Sequence, residues 1–128
     1  MKYILFALLF VASASAAALP YWTVVGNSGD VTVYANVDTI PNHGKIVTMW
    51  FLGDFATPKG KGKVLSTLIQ QKYDCDKELQ KTLQIEVFTE HMGRGVGKYL
   101  SLPHKLTEWH RIVLDSDEET FWRVACNL

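Results

Sequence analysis

The sequence predicts an α+β fold: an antiparallel β-sheet of five to six strands with one C-terminal α-helix packed on it, tied by a disulfide. Three observations carry that expectation. Apolar residues alternate with period two through the middle of the chain, as in Val31, Val33, Ala35 and Val37. The period changes to that of a helix after Ser116, where Phe121, Val124, Ala125 and Leu128 share one face with Trp122 and Cys126 beside them. The two cysteines after the leader, Cys75 and Cys126, fall at a polar turn between strands and inside that helix.

The N-terminus has the layout of an export signal. Lys2 supplies the positive charge, residues 3–12 are apolar without interruption, and Ser13-Ala14-Ser15-Ala16-Ala17-Ala18 provides small residues for cleavage after Ala16 or Ala18. Residues 1–18 are therefore expected to be a signal peptide and residues 19–128 a single domain. The apolar run is too short for a permanent transmembrane helix. No cysteine stands near the cleavage point to take a lipid. The mature protein is expected to be periplasmic or secreted, with no stable membrane anchor. In such a compartment a cysteine pair is expected to be bridged. The pair lacks the CxxC spacing of a redox or metal site.

Without Lys2 the mature chain has 12 basic and 13 acidic residues, a net charge of −1. That balance argues against nucleic acid as an obligate partner and against strong attraction to anionic membranes, since both need an excess of cations.

The elements follow in order. Residues 21–26 are apolar and precede Asn27-Ser28-Gly29-Asp30, whose types favour a turn, so residues 21–26 and 31–37 read as a hairpin. Pro41 and Gly44 break the pattern across residues 38–44 as a turn or short helical loop. Residues 46–55 are apolar on both faces and are expected to lie centrally in the sheet. Residues 56–63 (ATPKGKGK) lack a large apolar anchor and are expected to form a mobile loop. Residues 64–73 and 78–89 read as an antiparallel pair around the turn at Cys75, with Leu79, Leu83, Ile85 and Val87 inward and Gln80, Thr82, Gln84 and Glu86 outward. Gly93, Gly95 and Gly97 mark a bend, a bulge or a close backbone approach. Residues 98–102 and 109–114 are weaker strands. Ser116 and Glu119 have the spacing of a capping box, and three acidic residues in the first turn suit the helix dipole.

Catalytic residues are not expected. His43, His91, His104 and His110 are scattered with no paired carboxylate at ligand spacing, so no metal site is read. There is no GxSxG elbow, and the GRGVG glycines do not open a helix. Helix capping accounts for the paired carboxylates at 115–119. The remaining signal is cationic. Lys59, Lys61 and Lys63 lie in one loop, and Arg94, Lys98, Lys105 and Arg111 face a single acidic residue, Glu108, between positions 91 and 111. These seven residues are the candidate surface for an acidic macromolecule, because exposed lysines steer encounter. The alternative is a small-ligand or haem-binding protein that uses Trp109 with His91, His104 or His110.

One set of motifs has a familiar order. Trp22 precedes the run 33–38 (VYANVD), then Ile40, Met49-Trp50, Ser66, and residues 71–75 (QKYDC). The bend 92–95 (MGRG), Trp109, and a helix ending in Ala125-Cys126 complete it. Together these resemble the surface-adhesin protein E family of Gram-negative bacteria. The resemblance implies a small exported antiparallel sheet with a disulfide from helix to sheet, which falls here on Cys75 and Cys126. It also implies a non-enzymatic adhesin whose partner is a protein of the extracellular-matrix type, with haem binding and a homodimer as further properties of the family. The missing lipid-anchor cysteine sets this sequence apart from the tethered members.

Overall fold

The computed structural model describes residues 22–36 and 45–128. The expected leader and the loop at 38–44 lie outside the described residues.

Among the described residues, seven strands form one antiparallel sheet: β1 (Trp22–Ser28), β2 (Val31–Asn36), β3 (Ile46–Lys59), β4 (Val64–Asp74), β5 (Leu79–Phe88), β6 (Gly97–Tyr99) and β7 (His110–Arg111). The first six lie in sequence order, and β7 pairs with β5 beside β6. The expected five or six strands become seven because both weak segments dock on β5: Glu86 to Phe88 pair with β6, and Leu79 and Gln80 pair with β7. A four-residue helix, α1 (His104–Thr107), was not anticipated. The C-terminal helix is α2 (Asp117–Cys126), ten residues long.

The turn at Gly29 and Asp30 closes the first hairpin, with Gly29 at a φ of 60°. The first half of the expected loop at residues 56–63 is strand, since β3 continues to Lys59. Lys59 pairs with Val64, so the β3–β4 hairpin runs on to a tip at residues 60–63, past the last β2 pairing at Phe55. One backbone bond and two side-chain contacts to Asp30 hold this extension down: the Ala56 N–H donates to the Asp30 carbonyl at 2.9 Å, the Thr57 hydroxyl donates to the Asp30 carboxylate at 2.8 Å, and Lys59 pairs with the same carboxylate. Composition under-reported the strand because polar side chains of the neighbouring turn, not apolar burial, fix it.

One face of the sheet carries α2. The core is Ala35, Val47, Met49, Phe51 and Tyr73 from the strands, with Ile112, Trp122 and Ala125 covering them. The Phe51 ring meets Phe121 at 5.2 Å and stands edge-on to Tyr73 at 6.3 Å. Phe121, Val124 and Cys126 pack against this cluster, whereas Leu128 stays exposed beyond the helix end. No helix among the described residues is long and apolar enough to cross a membrane.

Two details of α2 differ from expectation. Ser116 caps the helix by accepting the Glu118 N–H at 3.2 Å, but Glu119 does not close a capping box. Its carboxylate accepts the Asp115 N–H at 2.8 Å and the Arg123 guanidinium at 3.1 Å, while Glu118 takes the Val113 N–H at 2.9 Å. The Asp115 N–H and then Arg123 hold the Glu119 carboxyl below its ordinary range. Both acids thus fasten the incoming loop. At the other end Asn127 adopts left-handed geometry, and the Leu128 N–H reaches back to the Arg123 carbonyl at 2.9 Å.

The Cys75–Cys126 disulfide joins the β4–β5 turn to the last residue of α2, closing a sequence separation of 51 with Cα atoms 5.7 Å apart.

The alternation assigned to β5 is corrected by a bulge. Gln70 faces Gln84 and Gln71 faces Thr82, so Leu83 is the extra residue. Before the bulge, Gln80 and Thr82 point to the helix side and are each 4% exposed, while Leu83 is 42% exposed. After it the phase reverses, and Ile85 and Val87 face the same side as Ile69 and Thr67.

The opposite face is capped at one end by a 3-10 turn at His91–Gly93. Two polar side chains from the sheet pin it. Ser66, 0% exposed, donates to the Glu90 carbonyl at 2.6 Å and accepts the Gly93 N–H at 2.8 Å. Asp54 accepts the Met92 N–H at 2.8 Å and lies 3.2 Å from His91 Nδ1. Gly93 and Gly95 bend the chain at φ of 71° and 83°. Ser66→Ala removes the buried hydroxyl that pairs with the part-buried Glu90 carbonyl and Gly93 N–H, so we expect a loss of about 1–2 kcal/mol in urea unfolding. A midpoint equal to that of the parent chain would show that the serine does not latch this turn.

Candidate functional site

The sheet separates the predicted site residues into two groups. At one end stand the β3–β4 tip and the 90–94 bend. Lys59 lies 6.0 Å over the Phe55 ring and pairs with Asp30, whose carboxyl is held below its ordinary range first by that lysine and then by Thr57. Lys61 and Lys63 occupy the tip and take part in no ion pair among the described residues. Arg94 joins Leu65, Glu90 and His91 around a shallow recess next to the base of the tip. Lys98 follows on β6, opposite Val87.

Lys105 on α1 and Arg111 on β7 lie at the other end, since Arg111 pairs with Leu79 at the start of β5. The ten residues of β5 span about 30 Å. The seven cations therefore do not form one continuous patch. Lys59, Lys61, Lys63 and Arg94 share an end with Lys98 nearby, and Lys105 and Arg111 stand apart.

The same separation applies to the alternative ligand set. His91 is beside Asp54 at the tip end. Trp109, His104 and His110 belong to the far end. There His104 Nε2 meets Glu108 at 2.7 Å and His110 Nδ1 lies 3.0 Å from the Glu108 carbonyl. The Lys81 ammonium sits 4.7 Å over the Trp109 ring, which is 38% exposed. The four residues therefore do not form one set: His91 lies the length of a strand from the other three, and the Lys81 ammonium covers a face of the indole. His91 borders the shallow recess beside Arg94, and His110 lines the larger one described next, whose other ionisable lining groups are Glu118 and Tyr73.

That recess is a cleft of about 270 Å³ on the helix side of the sheet. Its floor is Val33, Phe51, Ile69 and Gln71, and its rim is Leu106, His110, Glu118 and Phe121. Gln80, Thr82 and Tyr73 also reach it. Sequence reasoning missed these polar residues because the bulge at Leu83 inverts the phase of β5. A run of Gln and Thr facing Gln across a hairpin was the available signal.

Comparison with known proteins completes the description. The family model described as surface-adhesin protein E matches residues 22–127. Solved structures of protein E from Haemophilus influenzae superpose on this chain. One crystal form gives a TM-score of 0.63 at 12% identity, covering 83% of this chain and 87% of that one. The selenomethionine form gives 0.60 at 14% identity, with 83% and 85% covered. A structure of the protein from a non-typeable strain gives 0.59 at 12% identity, with 83% and 75% covered. At these identities the likeness shows the fold alone. No curated protein sequence gives a significant match. The order of strands, the helix laid on one face and the family match along the domain lead to one assignment: the chain belongs to the surface-adhesin protein E family.

Proposed function

We propose that this chain is an exported, non-enzymatic binding domain that contacts an acidic protein, of the extracellular-matrix type, through the end of the sheet built by the β3–β4 tip and the 90–94 bend. The observation that carries this reading is the pair Lys61 and Lys63, exposed at the tip of a hairpin that extends beyond its neighbour β2 and left without ion-pair partners among the described residues. Lys59 is committed to Asp30, and Arg94 stands beside Glu90, so the two tip lysines are the cations most free to meet a partner's carboxylates. Exposed charges of this kind act mainly on the rate of encounter and lose effect as salt screens them. Lys105 and Arg111 are secondary in this reading, and periplasmic or secreted residence goes with it.

The test uses the mature chain and matrix glycoproteins immobilised on a sensor surface. Lys61→Ala/Lys63→Ala is expected to slow association about tenfold at low salt and to flatten the salt dependence. An association rate and salt dependence equal to those of the parent would remove the tip from the binding surface.

A further inference from the structure

The cleft beside α2 has the chemistry of a small-molecule site. Its walls are apolar: Val31, Val33, Phe51, Ile69, Leu106 and Phe121. At Gly53 a side chain would project into this space, and a Cβ there would lie 3.0 Å from Thr67 Cγ2 and 3.5 Å from Val31 Cγ2. Glycine therefore keeps the strand clear where the cleft needs room. A few polar groups converge on the apolar walls, as in ligand pockets generally.

Those polar groups are short of protein partners. Thr82 donates its hydroxyl to Gln71 Oε1 at 2.9 Å, which leaves the Gln71 amide N–H groups to the cleft. Gln80 and Tyr73, 4% and 1% exposed, make no side-chain hydrogen bond among the described residues, yet both line the cleft. The polar ends of Gln80 and Tyr73 are not sealed in the core but open onto this apolar slot, so a molecule in it can hydrogen-bond to a carboxamide and a phenol that no protein group among the described residues engages.

Charge narrows the class. The carboxylate of Glu118 lines the cleft, with one oxygen taken by the Val113 N–H and the other uncommitted. Burial raises the Tyr73 hydroxyl pKa well above its ordinary value, with the Glu118 charge adding to the effect, so Tyr73 stays a neutral donor. No lysine or arginine lines the cleft. An anion would meet an unpaired carboxylate there, whereas an amine would pair with it.

We propose that this cleft binds a small aromatic amine, its ring between Phe121 and Ile69, its ammonium on Glu118 and its remaining polar atoms on Gln80 and Tyr73. The site is distinct from the lysine tip and does not depend on the protein-binding reading. Its volume suits one or two fused rings, since a cavity near 150 Å³ already holds benzene.

Three probes with one ring system and different charge test it: tryptamine, indole and indole-3-acetate, titrated by calorimetry and ligand-observed NMR into the full mature chain. Tryptamine is expected to saturate, indole to bind about tenfold more weakly, and indole-3-acetate more weakly still. Glu118→Gln keeps the acceptor for the Val113 N–H and should bring tryptamine down to the affinity of indole. Gln80→Leu should weaken both by about tenfold while the thermal midpoint reports that the chain is folded. Absence of saturable tryptamine binding, an anion that binds as well as the amine, or a preference that survives Glu118→Gln would overturn the proposal.

Discussion

Cys75→Ser/Cys126→Ser is expected to lower the unfolding free energy by about 4 kcal/mol, and the thermal midpoint by roughly 15–25 °C. The bridge closes a sequence separation of 51, and restricting a loop of that length in the unfolded chain sets the size of the effect. The native state adds a second reason. Helix α2 has ten residues, too few for an isolated helix to persist in water. It holds its shape by packing Phe121, Trp122, Val124 and Ala125 on the sheet. A domain of this size has only about 5–15 kcal/mol in total, so the double variant should be marginal, and the parent should behave the same way in reductant. Thermal scans by circular dichroism read both. Equal midpoints in oxidised and reduced protein would mean that the helix needs no covalent tether.

Truncating Trp122 should be about as costly. Trp122 is 5% exposed in the cluster formed with Val47, Met49, Tyr73 and Ile112, and Trp122→Ala should cost about 3–5 kcal/mol through lost contacts and the cavity left behind. The indole offers a finer test. Its Nε1 is buried without a hydrogen-bond partner among the described residues, so the N–H contributes desolvation and no compensating bond. Trp122→Phe gives up that penalty along with part of the ring volume and should cost much less than the alanine variant, about 1–2 kcal/mol. Urea unfolding of the two variants separates the contributions. Equal losses would mean that the indole N–H does find a partner.

Much of the architecture was legible because it rests on local periodicity. The alternation of Val31, Val33 and Ala35, the doubly apolar run from Ile46, and the helical spacing of Phe121, Val124 and Ala125 each report a buried face directly. The features that escaped depend on contacts between distant residues. Residues 56–59 look like loop because their stability comes from Asp30, far earlier in the chain. Leu83 looks like core because a bulge cannot be seen in one strand alone; it arises from how β5 meets β4. That single residue also hid the cleft, since its polar lining at Gln80 and Thr82 reads as a solvent face if the alternation runs unbroken. For the cationic surface, sequence proximity grouped Arg94 to Arg111 together, whereas the length of β5 divides them. The tip lysines and Arg94, separate in sequence, are the ones the hairpin brings to a common end.

Hydrogen exchange of the mature chain, alone and with an acidic matrix glycoprotein, addresses the protein-binding surface most directly. The account predicts that the glycoprotein slows exchange in residues 57–66 and 90–98, at the tip end of the sheet, and leaves α2 and the start of β5 unchanged. Protection confined to residues 104–126, with the tip exchanging as freely as in the unbound chain, would contradict it.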